Sequence, residues 1–174
     1  MRNIRGLPVL IVVAVGLSAA SVEAARIPDD PGGFNGYTWG TPLAKFPGFK
    51  LVKDLGSTDF VKDVGVYENP GETLTLDEVP LTKIQYRFVE NELESIELRY
   101  TGRENRDKLM RWLEQHIGKL SPHERKMINA ILWYGDKTTI NLKYDAVTQQ
   151  GTLYFLSQAL NHKLNEFHQA TQGD

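Results

Sequence analysis

The sequence predicts an α+β fold: an antiparallel sheet of about five to seven strands with two main helices packed on one face, a two-layer sandwich. Three observations predict it. Apolar residues alternate at Ile84, Tyr86 and Phe88, and again at Ile96, Leu98 and Tyr100, around a bend at Glu90-Asn91-Glu92, which is the period of half-buried strands in a hairpin. The other strand-like runs are joined by tight turns, and tight turns join antiparallel neighbours. Only two long segments, Asn105 to about Leu120 and the stretch after Ser157, carry apolar residues at helical spacing.

The chain has 174 residues, 41% hydrophobic and 24% charged, the proportions of an ordinary single domain. It has no cysteine. That excludes a disulfide scaffold, a thiolate metal site, a cysteine nucleophile and a lipid anchor on cysteine.

The elements follow in order. Arg2 and Arg5 precede an apolar run from Leu7 to Ala20 and small residues ending at Val22-Glu23-Ala24, so residues 1–24 read as a cleavable signal peptide cut after Ala24, with Ser18-Ala19-Ala20 as a second cut. The alternative, an uncleaved anchor, is opposed by a run shorter than the roughly 20 residues a span needs and by Pro8 and Gly16 within it. Residues 25–33, rich in Pro, Asp and Gly, read as a flexible lead-in, and residues 34–174 as a single α+β domain. Thr41 as a cap and Pro42 as a first helical residue predict a short helix closed by Pro47-Gly48. Strands are expected over 49–53, 61–67 and 73–76, the last two separated by Asn69-Pro70-Gly71-Glu72, before the hairpin described above.

Thr101-Gly102 ends the hairpin, and Leu109, Trp112, Leu113, Ile117 and Leu120 then fall on one arc of a helix. Ser121-Pro122-His123-Glu124 has the form of a capping box and predicts a second short helix through Asn129. Ile131 to Tyr134, Thr138 to Tyr144 and Thr152 to Leu156 complete the strands, and Ser157 caps a closing helix with Leu160, Leu164 and Phe167 on its apolar face.

Without residues 1–24 the chain holds 18 basic and 21 acidic residues, which argues against nucleic acid as a partner. The excess of acid lies in 26–98 and the excess of base in 99–143. The basic stretch suits an acidic partner; the plainer reading is that it faces the acidic part of its own domain.

Phe34-x-Gly-x-x-Trp39-Gly-Thr41, Ile84-x-Tyr-x-Phe88, Gly102-x-x-Asn105 opening a helix, Trp133, and Ile140-x-Leu-x-Tyr144 together resemble the pattern of small exported bacterial proteins with an aromatic-x-Gly-x-x-Trp-Gly-Thr start. The resemblance covers most of the chain after residue 24. It implies an exported, single-domain α+β protein of Gram-negative type, and it implies no activity and no catalytic residue.

The candidate site residues fall in two sets. Phe34, Tyr37 and Trp39 are an aromatic rim that lines a pocket or plugs one end of the core. Lys108, Arg111 and Lys119 form a basic helix stripe with Arg103 and Arg106 at its entrance, a pattern that suits carboxylate or phosphate. The same stripe is explained by solvated pairs, because Glu104 precedes Lys108 and Asp107 precedes Arg111 by four residues. His116, His123, His162 and His168 lack metal-ligand spacing, so no metal is expected. His116 falls in the centre of the apolar arc and reads as a partly buried histidine. No Gly-x-Ser-x-Gly elbow and no phosphate-cradling glycine loop occurs, and no cofactor is expected.

These features favour an exported, non-catalytic binding or interaction module of the cell envelope. It would hold a protein partner or small ligand on the open sheet face or the aromatic rim, in the periplasm or outside the cell, with no stable membrane span after cleavage. The alternative is a small periplasmic hydrolase with Glu94, Glu97 and His116 in one cleft.

Overall fold

The computed structural model of the protein describes residues 25–172; the expected signal peptide, 1–24, lies outside the described residues. In chain order the strands are β1 (Ala25–Arg26), β2 (Gly33–Phe34), β3 (Tyr37–Thr38), β4 (Lys50–Gly56), β5 (Val64–Glu68), β6 (Thr75–Leu76), β7 (Val79–Pro80), β8 (Lys83–Val89), β9 (Glu92–Thr101), β10 (Ala130–Tyr134), β11 (Thr138–Asp145) and β12 (Gln150–Ser157). Helix α1 (Arg103–His116) lies between β9 and β10, and α2 (Gln158–Gln172) follows β12.

One eight-stranded sheet, in the order β1-β10-β11-β12-β9-β8-β5-β4, forms the body of the fold, with β2-β3 and β6-β7 as two-stranded accessories. All its pairings are antiparallel except β1 against β10. The mixed α+β class and the antiparallel sheet agree with the sequence, but the sheet is larger than the five to seven strands expected. The strand not expected is the short β1, which extends the sheet beyond β10; β4, expected over 49–53, forms the exposed opposite edge.

The hairpin read from the sequence is the organising element. Glu90 and Asn91 both adopt positive φ, 53° and 62°, between the paired Val89 and Glu92. A two-residue loop with two positive φ values matches the twist of the flanking strands. Register then carries one apolar row after another across the sheet: Tyr86 opposite Ile96, Ile96 opposite Phe155, Phe155 opposite Ile140, and Ile140 opposite Trp133. These residues are at most 1% exposed and belong to the main core. Each side chain of this kind contributes about 1.5–3 kcal/mol when buried.

Helix α1 begins after Gly102, whose φ of 85° is a turn that other residues enter at a cost. Its Leu109 and Leu113, both fully buried, close the main core. Gly151 is required for a different reason: a Cβ there would lie 2.0 Å from the Tyr100 ring.

The two helices do not share one covering layer, which corrects the expected sandwich. The buried Leu164 of α2 packs with Val61, Val64 and Val89 in a separate cluster. Val66 pairs with Arg87 and Gly65 with Phe88, so Val64 and Val66 have the parity opposite to the main-core residue Phe88. Helical periodicity identifies the apolar side of α2 but carries no information on which side of the sheet it meets. Ser157 caps this helix as expected, its Oγ accepting the Leu160 N–H at 3.3 Å. The Phe167 side chain is outside the described residues.

Three local expectations change. Residues 25–33, expected as a flexible lead-in, are tied down instead: Ala25 and Ile27 are buried, Ile27 N–H donates to Tyr134 O at 2.8 Å, and the Asp30 carboxylate accepts from Gly32, Lys137 and Thr138. The helix expected after Thr41 is one 3-10 turn, Leu43–Lys45, without a side-chain cap. The helix expected through Asn129 is likewise one turn, Glu124–Lys126, although its capping box forms in both directions: Ser121 N–H to Glu124 Oε2 at 2.6 Å and Glu124 N–H to Ser121 Oγ at 3.3 Å.

Candidate functional site

The β8-β9 hairpin projects Ile84 and Tyr86 from one strand and Leu98 from the other onto the main-core side of the sheet, and these three form the apolar base of a cavity of about 300 Å³. Two accessory segments complete it. The β2-β3 hairpin turns through Asn35 and Gly36, both at positive φ, and brings Phe34 to the cavity wall. Phe34 is fixed by stacking on Phe155, with ring centroids 3.9 Å apart, and by an edge contact with Trp112 at 6.4 Å. The turn before β6 supplies Glu72. Asn69 folds it, accepting Gly71 N–H on Oδ1 at 3.2 Å and Glu72 N–H on its carbonyl at 3.1 Å.

Glu72 and Tyr86 are the chemical content of the site. The buried Tyr86 hydroxyl donates to Glu72 Oε1 at 2.5 Å. Glu72 Oε2 is shut off from solvent and has no hydrogen-bond partner. Burial raises the Glu72 pKa above the ordinary carboxyl value, against the opposing pull of the Tyr86 bond. Burial also pushes the Tyr86 hydroxyl well up, and its bond to Glu72 pushes it further, so Tyr86 remains a donor. The Tyr37 hydroxyl is raised by burial and by the Glu72 charge. A cavity with an apolar base of Ile84, Tyr86 and Leu98, a polar margin of Asn35, Thr73, Thr75 and Asp77, and one unsatisfied carboxylate oxygen on Glu72 can accept a hydrogen bond, or hold a positive charge, at the end of an apolar body.

The aromatic rim does not act as one unit. Phe34 lines the cavity. Tyr37 packs among the core aromatics, edge-on to Tyr86 at 5.6 Å and against Phe46 at 5.0 Å. Trp39 is turned elsewhere, its Nε1 donating to Thr138 Oγ1 at 2.9 Å beside the shallow depression lined by Pro31, Lys137 and Ser157.

The basic set is divided too. Arg106 is buried rather than presented at a helix entrance; it pairs with Asp107 Oδ1 at 2.8 Å and donates to the Met127 carbonyl. Asp107, expected to serve Arg111, is thereby engaged by Arg106. Lys108 makes the expected bridge to Glu104, at 2.9 Å. Arg103, Arg111 and Lys119 are exposed, and Lys119 lies beyond the end of α1.

The acid-histidine cleft is not assembled. Glu94 is fully buried where β9 bulges against β8, Glu97 is bonded to Arg99 at 2.5 Å, and His116 is exposed on α1. His116 stacks on Trp112 at 4.6 Å and its Nδ1 lies 2.8 Å from the Trp112 carbonyl oxygen, so its place in the apolar arc is the helix's last, solvent-facing turn rather than the core. Among the described residues no group of three or more His, Asp or Glu side chains is arranged to hold a metal ion.

Glu72 and Tyr86 were not singled out by sequence. Glu72 reads as a turn residue and Tyr86 as one apolar position in an alternating strand. The one available signal is chemical: a tyrosine on a buried strand face needs a partner for its hydroxyl. No protein-family model, curated protein or solved structure matches the chain.

Proposed function

We propose that this chain is an exported, non-catalytic binding module of the bacterial cell envelope. It holds a small ligand, an apolar body bearing a cationic or strongly hydrogen-bond-donating group, in the cavity between Phe34, Tyr86 and Glu72. The observation that carries the reading is Glu72 Oε2, a buried oxygen without a partner on a side chain that lines the cavity. A lone buried acceptor is costly unless something occupies it. The other Glu72 oxygen is held by Tyr86, which fixes the carboxyl in place before any ligand arrives. Export is supported by the basic start, the short apolar run and the small residues ending at Ala24.

Native mass spectrometry of the protein purified from its host's envelope fraction, beside its denatured intact mass, tests this reading. The expected result is a denatured chain beginning at Ala25 and a native mass larger by one small molecule, with the extra mass absent in Glu72→Gln. A chain retaining Met1, or an adduct that persists undiminished in Glu72→Gln, would overturn it.

A further inference from the structure

The other side of the same hairpin has the opposite polarity. Gln85 and Arg87 of β8 and Ser95, Glu97 and Arg99 of β9 lie on the sheet face away from the main core, in the pairings Gln85 opposite Glu97 and Arg87 opposite Ser95. With Leu55 and Val66 they line a groove of about 230 Å³ at the edge of which stands His168 of α2. Val66 pairs with Arg87, so an apolar wall lies directly beside the guanidinium.

The polar donors here are unequally satisfied. Arg99 is held by Glu97 at 2.5 Å, and Gln85 donates to Glu68 at 2.8 Å. Arg87 is different: its Nε is shut off from solvent with no hydrogen-bond partner, and among the described residues no carboxylate forms an ion pair with it. The nearest candidate is Glu94, in the bulge between Arg87 and Phe88, and both of its oxygens are buried without partners. Burial raises the Glu94 pKa, with the Ser95 hydroxyl and the Arg87 charge pulling the other way. Desolvation therefore works against the negative charge that would otherwise answer Arg87.

We infer that this groove is a binding site for the oxyanion group of a small molecule, a carboxylate or a phosphate, received by the Arg87 guanidinium and bordered by Leu55 and Val66. Arginine presents its donors in a planar fork that matches either group. Lys53 at the margin adds positive charge, the Glu97 carboxylate in the same lining is neutralised by Arg99, and the Ser95 side chain lies across the strand pair from Arg87. The site is independent of the Glu72 cavity, which lies on the opposite face and selects the opposite charge.

The test is a set of proton-nitrogen NMR titrations that resolve arginine Nε–H groups, with inorganic phosphate and with acetate, each against sodium chloride at matched ionic strength. Arg87→Lys assigns the Arg87 signal. The account expects that signal to shift saturably with at least one of the two anions, and Arg87→Gln to weaken binding at least tenfold, on the order of one charge-assisted hydrogen bond. Saturation by phosphate alone identifies a phosphate group, and saturation by acetate alone a carboxylate. A linear shift equalled by chloride, or saturation of the neighbouring Arg99 Nε–H signal that is unchanged in Arg87→Gln, would overturn the proposal. Should Arg87→Gln fail to fold, the titration of Nε–H in the natural protein decides by itself.

Discussion

Asp30 provides the most quantitative test of how the chain's start is held. Its Oδ2 accepts the N–H groups of Lys137 and Thr138 at 2.6 and 2.7 Å, while its Oδ1 accepts the Thr138 hydroxyl at 2.6 Å and the Gly32 N–H at 2.9 Å. Asp30→Asn keeps one acceptor oxygen and turns an amide NH2 toward the two backbone donors. Lys137 is exposed and its N–H can turn to water, but Thr138 is fully buried and cannot. The loss is therefore about one hydrogen bond to a charged acceptor, roughly 1.5–3 kcal/mol. For a domain of this size that lowers the melting temperature by about 3–12 °C.

The pH dependence gives a second reading of the same bond. Burial alone would raise the Asp30 pKa, but the bonds from Thr138, Gly32 and Lys137 together hold it below the ordinary value. A depressed carboxyl contributes stability that is present above its unfolded pKa and lost as pH falls through its folded pKa. The difference between natural protein and Asp30→Asn should thus be full at about pH 7 and shrink markedly by about pH 2. Thermal unfolding followed by circular dichroism at both pH values measures it. Equal melting temperatures at neutral pH, or a difference that persists unchanged in acid, would refute the reasoning.

Other consequences are separable from this one. Tyr86→Phe removes the only donor to Glu72 Oε1 among the described residues, at a cost of about 1–3 kcal/mol for the acceptor left unpaired, which denaturant unfolding would register as a lower midpoint with an unchanged slope. Leu164→Ala should cost about 2–5 kcal/mol and loosen α2, so that hydrogen exchange accelerates in α2 and around Val61 while the strands of the main core stay protected. Arg106→Met should destabilise by about 1–3 kcal/mol, because the Met127 carbonyl and Asp107 lose their partner, whereas Arg103→Met should change stability by less than about 0.5 kcal/mol. Equal effects of the two arginine substitutions would contradict the inward placement of Arg106.

The sheet was legible because period-two alternation is long and regular in β8, β9, β11 and β12, and because each fully buried row repeats it across the register. The helix caps at Ser157 and the box at Ser121 and Glu124 were legible for the same reason, as local chemistry needs only neighbours in sequence. What sequence could not show depends on contacts between distant residues. Asp30 orders the Pro- and Gly-rich start by bonding residues 107 and 108 positions away. Arg106 is turned inward by the Met127 carbonyl, 21 positions on. The candidate site is the extreme case: Glu72 is a turn residue until the turn at Asn69 sets it over Tyr86, and Arg87 is one polar position among several until the bulge buries Glu94 beside it.

The central claim is that Glu72 receives the polar end of a ligand whose apolar body fills the cavity, and a calorimetric titration with benzylamine and benzoate addresses it most directly. The two probes share a ring and differ in charge. The account predicts that benzylamine binds the natural protein, that benzoate does not compete for the cavity, and that Glu72→Gln weakens benzylamine by about 10- to 150-fold, the equivalent of one buried charge-assisted hydrogen bond of roughly 1.5–3 kcal/mol. Equal affinity for the two probes, or benzylamine binding indifferent to Glu72→Gln, would contradict it.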